Sequence, residues 1–527
     1  MKKVWSLLMA IILLMGTFPA LAADSNRDKA MFTDRDLSGE YDLSAAVIVN
    51  LTGAESTGAA VAWEGNVCRI TSAGTYLVNG EWNGTLSVAA GKQDKVQLVL
   101  QNASIRSSGP AALVIESADK VFVTLAEESV NVLEATGATE KTDLGTVDGV
   151  IFSKADLVLN GSGALAVSGA AHGIVCKDDL KITGGEIVIQ AARHGLEAND
   201  SIRIGGGTIT VTAGSDGLHT NGDEEDAEKG GILMQDGELI IRAGDDGIHA
   251  ETSVTVAGGA VQILQSYEGI EGKQIYIMDG DVFVIAEDDA LNTSAGTETG
   301  MEFGPMGGGM PDGDPFDKGE KDTQNPFGGW NNDRETQRSW GGRMNRGGAG
   351  GEGAQEGVLL SISGGTVTLQ SGSDGLDSNG DLAISGGFIT ISGPTRNGEV
   401  PIDYNGTGLI NGGTVIATGV GTMMLQGFDD ASAQSTTIQM LNRMHQAGET
   451  ITIADEAGQV LASFTPANAY QLVIFSIEGV AEGVHLTLRC GDETQNVVNG
   501  SNSVYGGNGD RNFGGPQQER GNRGGRW

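Results

Sequence analysis

The sequence of 527 residues contains few cysteines, prolines, aromatic residues and positive charges. Its 3 cysteines lie far apart without a CxxC motif, so neither a cysteine-ligated zinc site nor a disulfide scaffold is predicted. Despite 84 glycines, the 10 prolines and the missing Gly-X-Y period exclude collagen and proline-rich disorder. The net charge of −37 argues against nucleic acid and anionic lipid as partners, because both require basic patches.

The N-terminus has the features of an export signal. Lys2 and Lys3 precede an apolar stretch at 4–18, and the Ala-Leu-Ala at 20–22 is a small-x-small cleavage site. The apolar stretch is short for a membrane span, and no later segment offers another. We therefore expect residues 1–22 to be a signal peptide and the mature chain to be a secreted or cell-surface monomer without a membrane span.

A strand motif, Gly-Gly-x-φ-x-φ with φ apolar, recurs about every 22 residues, as in TGGEIVI (183–189), GGGTITV (205–211) and SGGFITI (385–391). The flanking segments alternate with period two and are rich in β-branched residues, which predicts strands. Between these strands, one apolar residue recurs in every coil, from Val150 to Ile402, and a glycine precedes it except at Leu291 and Ile402, which follow Ala290 and Pro401. The sequence therefore predicts an all-β fold, a single-stranded parallel β-helix of about 22 residues per coil.

Segments without the repeat define the predicted domain organisation. We expect the parallel β-helix to occupy 32–420, interrupted by a disordered Gly/Met-rich insertion at 296–356. Residues 421–495 are predicted to form a small β-rich C-terminal cap with a short helix at 438–446, because the open end of a solenoid needs covering. The Gly-rich tail, 496–527, is predicted to be disordered.

Two columns of residues flank the apolar position of each coil. Stacking places equivalent side chains roughly 5 Å apart, where two carboxylates repel by about 3 kcal/mol at an effective dielectric near 20. The second column is apolar for two coils and is expected to become polar near Glu197. The first column contains Asp148, His172, His194, Asp216, Asp246, Glu268, Asp289 and Asp374. The second contains Ile151, Val175, Glu197, His219, His249, Glu271, Asn292, Asp377 and Asp403.

Repulsion among stacked acids favours a bound cation, and Ca²⁺ is suitable because it takes six to eight oxygen ligands. A solvated turn is the alternative, since Asp-Gly is common at corners. Histidines are poor Ca²⁺ ligands, so His219 and His249 are expected to orient carboxylates or to contact a ligand, and His172 and His194 to be structural. The predicted metal ligands are Asp216, Asp245, Asp246, Glu268, Glu271, Asp288 and Asp289.

The run SYEGIEGKQIYI (266–277), between DDGIHAE (245–251) and DDALNTS (288–294), resembles a family of secreted carbohydrate-binding, right-handed parallel β-helix proteins. FTDRDLSGEYD (32–42) and TITIADEAGQVLASFTPA (450–467) extend the resemblance over nearly all of the mature chain. That family is similar in fold to family-nine polysaccharide lyases and is associated with calcium and with cellulose-like or polygalacturonate polymers. The resemblance implies calcium-site residues at Asp245, Asp246, Glu268, Glu271, Asp288 and Asp289.

Three functions follow from these observations. The favoured one is calcium-dependent binding of a polysaccharide, in which Ca²⁺ bridges the acidic columns to uronate groups of pectin, or a cellulose-like polymer is bound. The second is a pectate-lyase-like β-elimination, which needs a basic residue beside the metal, for which Lys273 is the candidate. The third is a structural or adhesive surface protein stapled by calcium. The predicted ligand contacts are His219, His249, Tyr267, Lys273, Asp374 and Asp377.

Overall fold

The computed structural model describes residues 31–222, 229–295, 353–421 and 425–504. These residues form strands almost throughout, with one short helix, so the prediction of an all-β fold is confirmed. The predicted signal peptide, the insertion up to residue 352 and the tail beyond residue 504 lie outside the described residues. No helix within the described ranges is long and apolar enough to cross a membrane.

The chain enters the sheet through a short helix, α1 (Asp34–Leu37), that is capped at its N-terminus. The backbone N of Asp36 donates to Oγ1 of Thr33, and the backbone N of Thr33 donates to Oδ2 of Asp36, which is a capping box. Asp36 is fully buried, with its carboxylate oxygens 3.4 Å from Nζ of Lys120 and 3.3 Å from Nζ of Lys181. This carboxylate fixes the N-terminal segment against the strands that carry the two lysines.

The first part of the sheet combines parallel pairs with hairpins. Its strands are β1 (Val47–Asn50), β2 (Glu55–Ser56), β3 (Val61–Glu64), β4 (Val67–Ile70), β5 (Gly74–Asn83), β6 (Thr85–Ala89), β7 (Lys95–Ser107), β8 (Leu113–Ser117), β9 (Lys120–Leu125) and β10 (Val130–Ala135). The next two strands, β11 (Glu140–Thr142) and β12 (Gly145–Val147), form a separate two-stranded sheet. The pairs β1–β2, β3–β4 and β11–β12 are antiparallel. The pairs β5–β7, β6–β8 and β7–β9 are parallel.

The repeated motif gives a long series of parallel strands. They are β13 (Gly149–Ser153), β14 (Asp156–Gly161), β15 (Ala164–Gly169), β16 (His172–Cys176), β17 (Asp179–Ala191), β18 (Leu196–Ala198), β19 (Ser201–Ala213), β20 (Leu218–Thr220), β21 (Gly231–Arg242), β22 (Ile248–Val256), β23 (Ala260–Gln265), β24 (Ile270–Ile277), β25 (Asp281–Ile285), β26 (Leu291–Thr293), β27 (Leu359–Ile362), β28 (Thr366–Gln370), β29 (Leu376–Ser378), β30 (Asp381–Ser392), β31 (Ile402–Tyr404) and β32 (Gly408–Gly419). Each pairs in parallel with the equivalent strand of a neighbouring repeat, and the last of them, β32, also pairs in antiparallel orientation with a C-terminal strand.

Long strands such as β21 bend at the second glycine of the Gly-Gly motif, so that one strand belongs to two ladders. β21 itself has the related sequence DGELII, in which Asp236 replaces the first glycine, and Gly237 occupies the corner with φ 98°. A Cβ there would lie 2.6 Å from the carbonyl oxygen of Gly207 on the preceding coil. Glycine is therefore required both for the backbone angle and for the close approach of stacked coils.

The predicted apolar column is present, with one error of register. Successive coils pair Ile174 with Leu196, and the series continues in register to Ile402, all of it buried. In the first coil, however, Ile151 rather than Val150 pairs with Ile174. Phe152, not Ile151, therefore belongs to the second column, and Gly149, not Asp148, pairs with His172. The prediction was wrong because Val150 and Ile151 are both apolar and fully buried, so the pattern alone does not distinguish them.

The C-terminal strands are antiparallel and have a separate hydrophobic core. They are β33 (Thr437–His445), β34 (Ile451–Ala454), β35 (Val460–Phe464), β36 (Tyr470–Ile477), β37 (His485–Cys490) and β38 (Glu493–Val498). The helix predicted at 438–446 was wrong, because pairing with β36 makes this segment a strand. The predicted start of the disordered tail at 496 was also wrong, since β38 pairs with β37 as far as Val498.

Candidate metal and ligand site

Most repeats place two polar side chains, three residues apart, on either side of a glycine and a buried apolar residue. In DDGIHAE, Asp246 and His249 flank Gly247 and Ile248, and Ile248 is buried in the core. A Cβ on Gly247 would lie 2.6 Å from the carbonyl oxygen of Gly269, on the next coil. The glycine thus allows close stacking, and the buried apolar residue directs its polar neighbours outward.

Stacking aligns these polar residues in two columns. The backbone N atoms of Gly217, Gly247 and Gly269 donate to the carbonyl oxygens of Asp246, Glu268 and Asp289 on the following coils, at 2.9, 3.0 and 2.9 Å. The pre-glycine column consists of His172, His194, Asp216, Asp246, Glu268, Asp289 and Asp374. The post-apolar column consists of Glu197, His219, His249, Glu271, Asn292, Asp377 and Asp403, which pair in register. The structure therefore brings together acids that are far apart in sequence.

The N-terminal half of the columns contains a continuous stack of four histidine rings. The ring centroids of His172 and His194 are 4.9 Å apart, those of His194 and His219 are 4.5 Å apart, and those of His219 and His249 are 5.0 Å apart. The expectation that His172 and His194 are merely structural missed this stack. The sequence assigns two of the rings to each column, whereas in the structure all four converge.

Carboxylates accompany the histidine stack. Nδ1 of His194 and Nδ1 of His219 lie 3.2 and 2.7 Å from the same oxygen, Oδ2 of Asp216. Nδ1 of His249 lies 3.1 Å from Oδ2 of Asp246 and 2.8 Å from Oε2 of Glu271. The predicted role of His219 and His249 in orienting carboxylates is consistent with these distances.

The histidines set the charge of this half. Burial opposes ionisation of Asp216, but hydrogen bonds with His194 and His219 outweigh it and hold the pKa of the carboxyl below its usual range. Burial likewise opposes the charge on His249, but its contacts with Asp246 and Glu271 raise its pKa to about 11. A protonated His249 therefore compensates the carboxylates beside it at neutral pH.

The C-terminal half of the columns offers oxygen atoms only. The carboxylates of Asp374, Asp377 and Asp403 place one oxygen each within 4.8 Å of one another, and we call these residues the three-aspartate cluster. Oδ1 of Asp374 accepts a hydrogen bond of 2.8 Å from the backbone N of Val400. Oδ1 of Asp289, on the preceding coil, accepts a bond of 2.8 Å from the backbone N of Asp374. Within the described residues, no basic side chain forms an ion pair with these four acids.

Burial and mutual repulsion make these acids resist ionisation. Burial, followed by the charge of Asp289, raises the pKa of Asp374 to about 9. The same two causes raise the pKa of Asp377 well above its usual value. Burial raises the pKa of Asp289 to about 7, with the charge of Asp288 contributing. A cation bound among these oxygens would remove the penalty for ionising them.

Asn292 connects the two halves of the post-apolar column. It pairs in register with Glu271 on one side and Asp377 on the other. Its Nδ2 donates a hydrogen bond of 2.9 Å to Oε2 of Glu268, while its Oδ1 is buried without a hydrogen-bond partner among the residues described. Burial and the charge of Glu271 raise the pKa of Glu268 well above its usual value. The carboxamide oxygen of Asn292 is thus a further candidate metal ligand.

Two predicted metal ligands lie in a third, outer column. The backbone N of Tyr267 donates to the carbonyl oxygen of Asp245, and that of Asp288 donates to the carbonyl oxygen of Tyr267, so the three residues stack on successive coils. The Tyr267 side chain is 48 % exposed. Asp245 and Asp288 therefore lie one position outside the pre-glycine column and flank an accessible aromatic ring.

The lysine predicted as a base lies against the chain beyond the insertion. Nζ of Lys273 is 3.8 Å from the position of a Cβ on Gly357. Among the described residues, no hydrogen bond or ion pair joins Lys273 to a predicted acid. Asp403, in contrast, belongs to the three-aspartate cluster although it was not predicted as a ligand. Its coil has Val400 and Pro401 where the other coils have a polar residue followed by glycine or alanine, so the sequence pattern is incomplete there.

Comparison with known proteins gives the family. A family model described as a carbohydrate-binding domain-containing protein matches residues 64–306. A protein of that description from Acetivibrio thermocellus is 44 % identical over 199 residues, which cover 37 % of this chain and 69 % of the relative. The chain belongs to this family. The matched residues 64–306 include the histidine stack and end before the three-aspartate cluster.

One solved structure is also similar to this chain. It is described as the polysaccharide lyase-like protein from C. thermocellum, in a gadolinium derivative. The sequence identity is 30 %, the match covers 48 % of this chain and 97 % of that chain, and the TM-score is 0.38.

Proposed function

We propose that this chain is a secreted, calcium-dependent polysaccharide-binding protein with the right-handed parallel β-helix fold. Membership of a carbohydrate-binding family supports the polysaccharide, and the sequence of residues 1–22 supports export. The parallel in-register ladders support a β-helix, and connections between parallel strands are nearly always right-handed. The observation that carries the calcium proposal is the three-aspartate cluster, with its oxygens within 4.8 Å.

The donor atoms of the cluster fit calcium. Ca²⁺ binds six to eight oxygens in flexible geometry, whereas nitrogen ligands favour transition metals. The three carboxylates of the cluster and Oδ1 of Asn292 are oxygen ligands, and Oδ1 of Asn292 is buried without a hydrogen-bond partner in the described part of the chain. Waters or ligand oxygens would complete the coordination. Burial of Asp374 and Asp377 and repulsion from Asp289 raise the pKa values of both carboxyls, which favours a cation that would stabilise their ionised forms.

Calcium would also allow an anionic polymer to approach this acidic chain. A net charge of −37 repels polygalacturonate unless cations bridge the two. Uronate carboxylates of the polymer can supply oxygens to an ion already held by the columns. The exposed ring of Tyr267 lies in the outer column and offers a face on which a sugar ring can stack. We therefore propose acidic plant cell-wall polysaccharide as the preferred ligand, with cellulose-like polymers as the alternative.

A panel of polysaccharides, tested with calcium and with EGTA, examines this function. We expect polygalacturonate to bind in calcium, and the binding to disappear in EGTA and in Asp377→Asn. The matched control is Asp143→Asn, which removes an exposed acid outside the columns and should bind normally. Absence of binding to every polysaccharide in calcium would refute the proposal.

The same panel distinguishes the two alternative functions. A lyase would release unsaturated products that absorb ultraviolet light. We expect none, because within the described residues no hydrogen bond or ion pair joins Lys273 to the acids of the columns. A protein in which calcium only staples the coils would lose thermal stability in EGTA without binding any polysaccharide. Either result would replace the proposed function by the corresponding alternative.

A further inference from the structure

A buried histidine nitrogen near the start of the columns has no hydrogen-bond partner. The side chain of His172 is 5 % exposed, and its Nδ1 lies 3.2 Å from Oε2 of Glu197. No hydrogen bond joins these two atoms, and within the described part of the chain Nδ1 has no other partner. A buried polar atom is normally paired, so this one points to a ligand. A cation between Nδ1 and Oε2 would satisfy both atoms.

Neighbouring contacts hold the two side chains in place. Oε1 of Glu197 accepts hydrogen bonds from Nζ of Lys177 at 2.8 Å and from Nδ2 of Asn221 at 3.3 Å, which leaves Oε2 facing His172. The ring of His194 stacks on His172. His172, His194 and Glu197 each present one possible ligand atom, and these atoms lie within 4.8 Å of one another. Fixed orientation of this kind is what outer-sphere contacts provide at metal sites.

The two similar triads further along the columns are already satisfied without an ion. Nδ1 of His219 and Nδ1 of His194 lie 2.7 and 3.2 Å from Oδ2 of Asp216. Nδ1 of His249 lies between two carboxylate oxygens at hydrogen-bond distance. Among the described residues, only the triad with His172 combines three donor residues with a ring nitrogen that is both buried and without a hydrogen-bond partner.

The donor set determines the class of ion. Two imidazoles and one carboxylate are typical of Zn²⁺ and its neighbours in the transition series, whereas Ca²⁺ and Mg²⁺ require oxygens. Ligands about 2.1 Å from a tetrahedral ion lie roughly 3.4 Å apart, close to the 3.2 Å between Nδ1 of His172 and Oε2 of Glu197. We propose that His172, His194 and Glu197 form a binding site for Zn²⁺ or a similar transition-metal ion. A water molecule would complete the tetrahedral coordination.

Calorimetric titration of the chelator-treated full chain with Zn²⁺, in saturating Ca²⁺, tests this site. We expect one tight Zn²⁺ ion that Ca²⁺ does not displace, and affinity at least about 10-fold weaker in His172→Gln and in Glu197→Gln. Co²⁺ in place of Zn²⁺ should give visible absorption bands that both variants lose. The matched control is His485→Gln, which removes an exposed histidine outside the columns and should leave Zn²⁺ affinity unchanged.

Anomalous diffraction from Zn²⁺-soaked crystals of the wild-type protein locates the bound ion directly, even if the variants fail to fold. A peak between His172 and Glu197 is expected. A peak elsewhere, no Zn²⁺ binding in the presence of Ca²⁺, or a loss of affinity only in His485→Gln would overturn the proposal. This test is independent of polysaccharide binding, so failure of one proposal leaves the other standing.

Discussion

Replacing Asp374 by asparagine should stabilise the calcium-free protein and remove its response to calcium. Asp374 is 7 % exposed, and Oδ1 accepts a hydrogen bond from the backbone N of Val400. Burial and the charge of Asp289 raise its pKa from 3.8 to about 9. Asparagine keeps the accepting oxygen and the shape of the side chain, but it carries no charge at any pH.

The sign and size of the effect follow from proton linkage. Between pH 3.8 and about 9 the folded Asp374 holds a proton that the unfolded chain has released, so stability falls as pH rises through this window. At 1.36 kcal/mol per pKa unit, the loss at neutral pH is about 4 kcal/mol for this carboxyl. In EGTA at about pH 7 we therefore expect Asp374→Asn to be more stable than the wild type by about 1 to 4 kcal/mol.

Urea unfolding at several pH values, with EGTA and with calcium, measures this effect. The wild type should gain about 2.7 kcal/mol when calcium is at 100 times its dissociation constant, and Asp374→Asn should gain little. Asp143→Asn, the exposed control, should follow the wild type in both solutions. The reasoning is refuted if Asp374→Asn is less stable than the wild type in EGTA at about pH 8, or if its response to calcium is retained.

Three further substitutions test how the coils and the N-terminal segment are held. Gly247→Ala should lower stability by about 1 to 3 kcal/mol in urea unfolding, because its Cβ would meet a backbone oxygen of the next coil at 2.6 Å; an unchanged midpoint would contradict this. Asp36→Ala should cost about 3 to 5 kcal/mol, since it removes the buried carboxylate that pairs with Lys181 and leaves Lys120 with Asp156 alone, and unchanged thermal stability would argue against this anchor. His249→Gln should cost more stability at about pH 6 than at about pH 9. The pKa of His249 is raised from 6.5 to about 11 on folding, so its protonated ring stabilises the folded protein fully below about pH 6.5 and progressively less as the pH rises toward 11. A loss of stability that does not depend on pH would contradict the charge assigned to this ring.

The register of the coils could be predicted from the sequence because two independent signals agree. A glycine that must pack against the next coil is followed by an apolar residue that must be buried, and both recur with the strands. The prediction of register or of secondary structure failed where the glycine and the apolar residue do not mark a single position. Val150 and Ile151 are equally apolar, and β33 has leucine and methionine residues that favour a helix in isolation but pair with β36 in the protein.

The composition of the site was harder to predict, because the two columns read from the sequence do not show in which direction each side chain points. The histidine stack joins residues from both columns, since side chains three residues apart in one coil contact each other, as Asp216 and His219 do at 2.7 Å. The sequence predicted the acids but not their separation into a histidine-compensated half and an oxygen-only half. That division depends on contacts between coils, and it places the proposed calcium site at the three-aspartate cluster, which includes Asp403.

Titration of polygalacturonate oligomers into the protein, with and without calcium, tests the central claim most directly. Binding heat is predicted in saturating calcium, and none in EGTA. The account also predicts that Asp377→Asn shows no binding heat in either solution. Equal affinity in calcium and EGTA would contradict the claim that calcium held by the acidic columns is what binds the polymer.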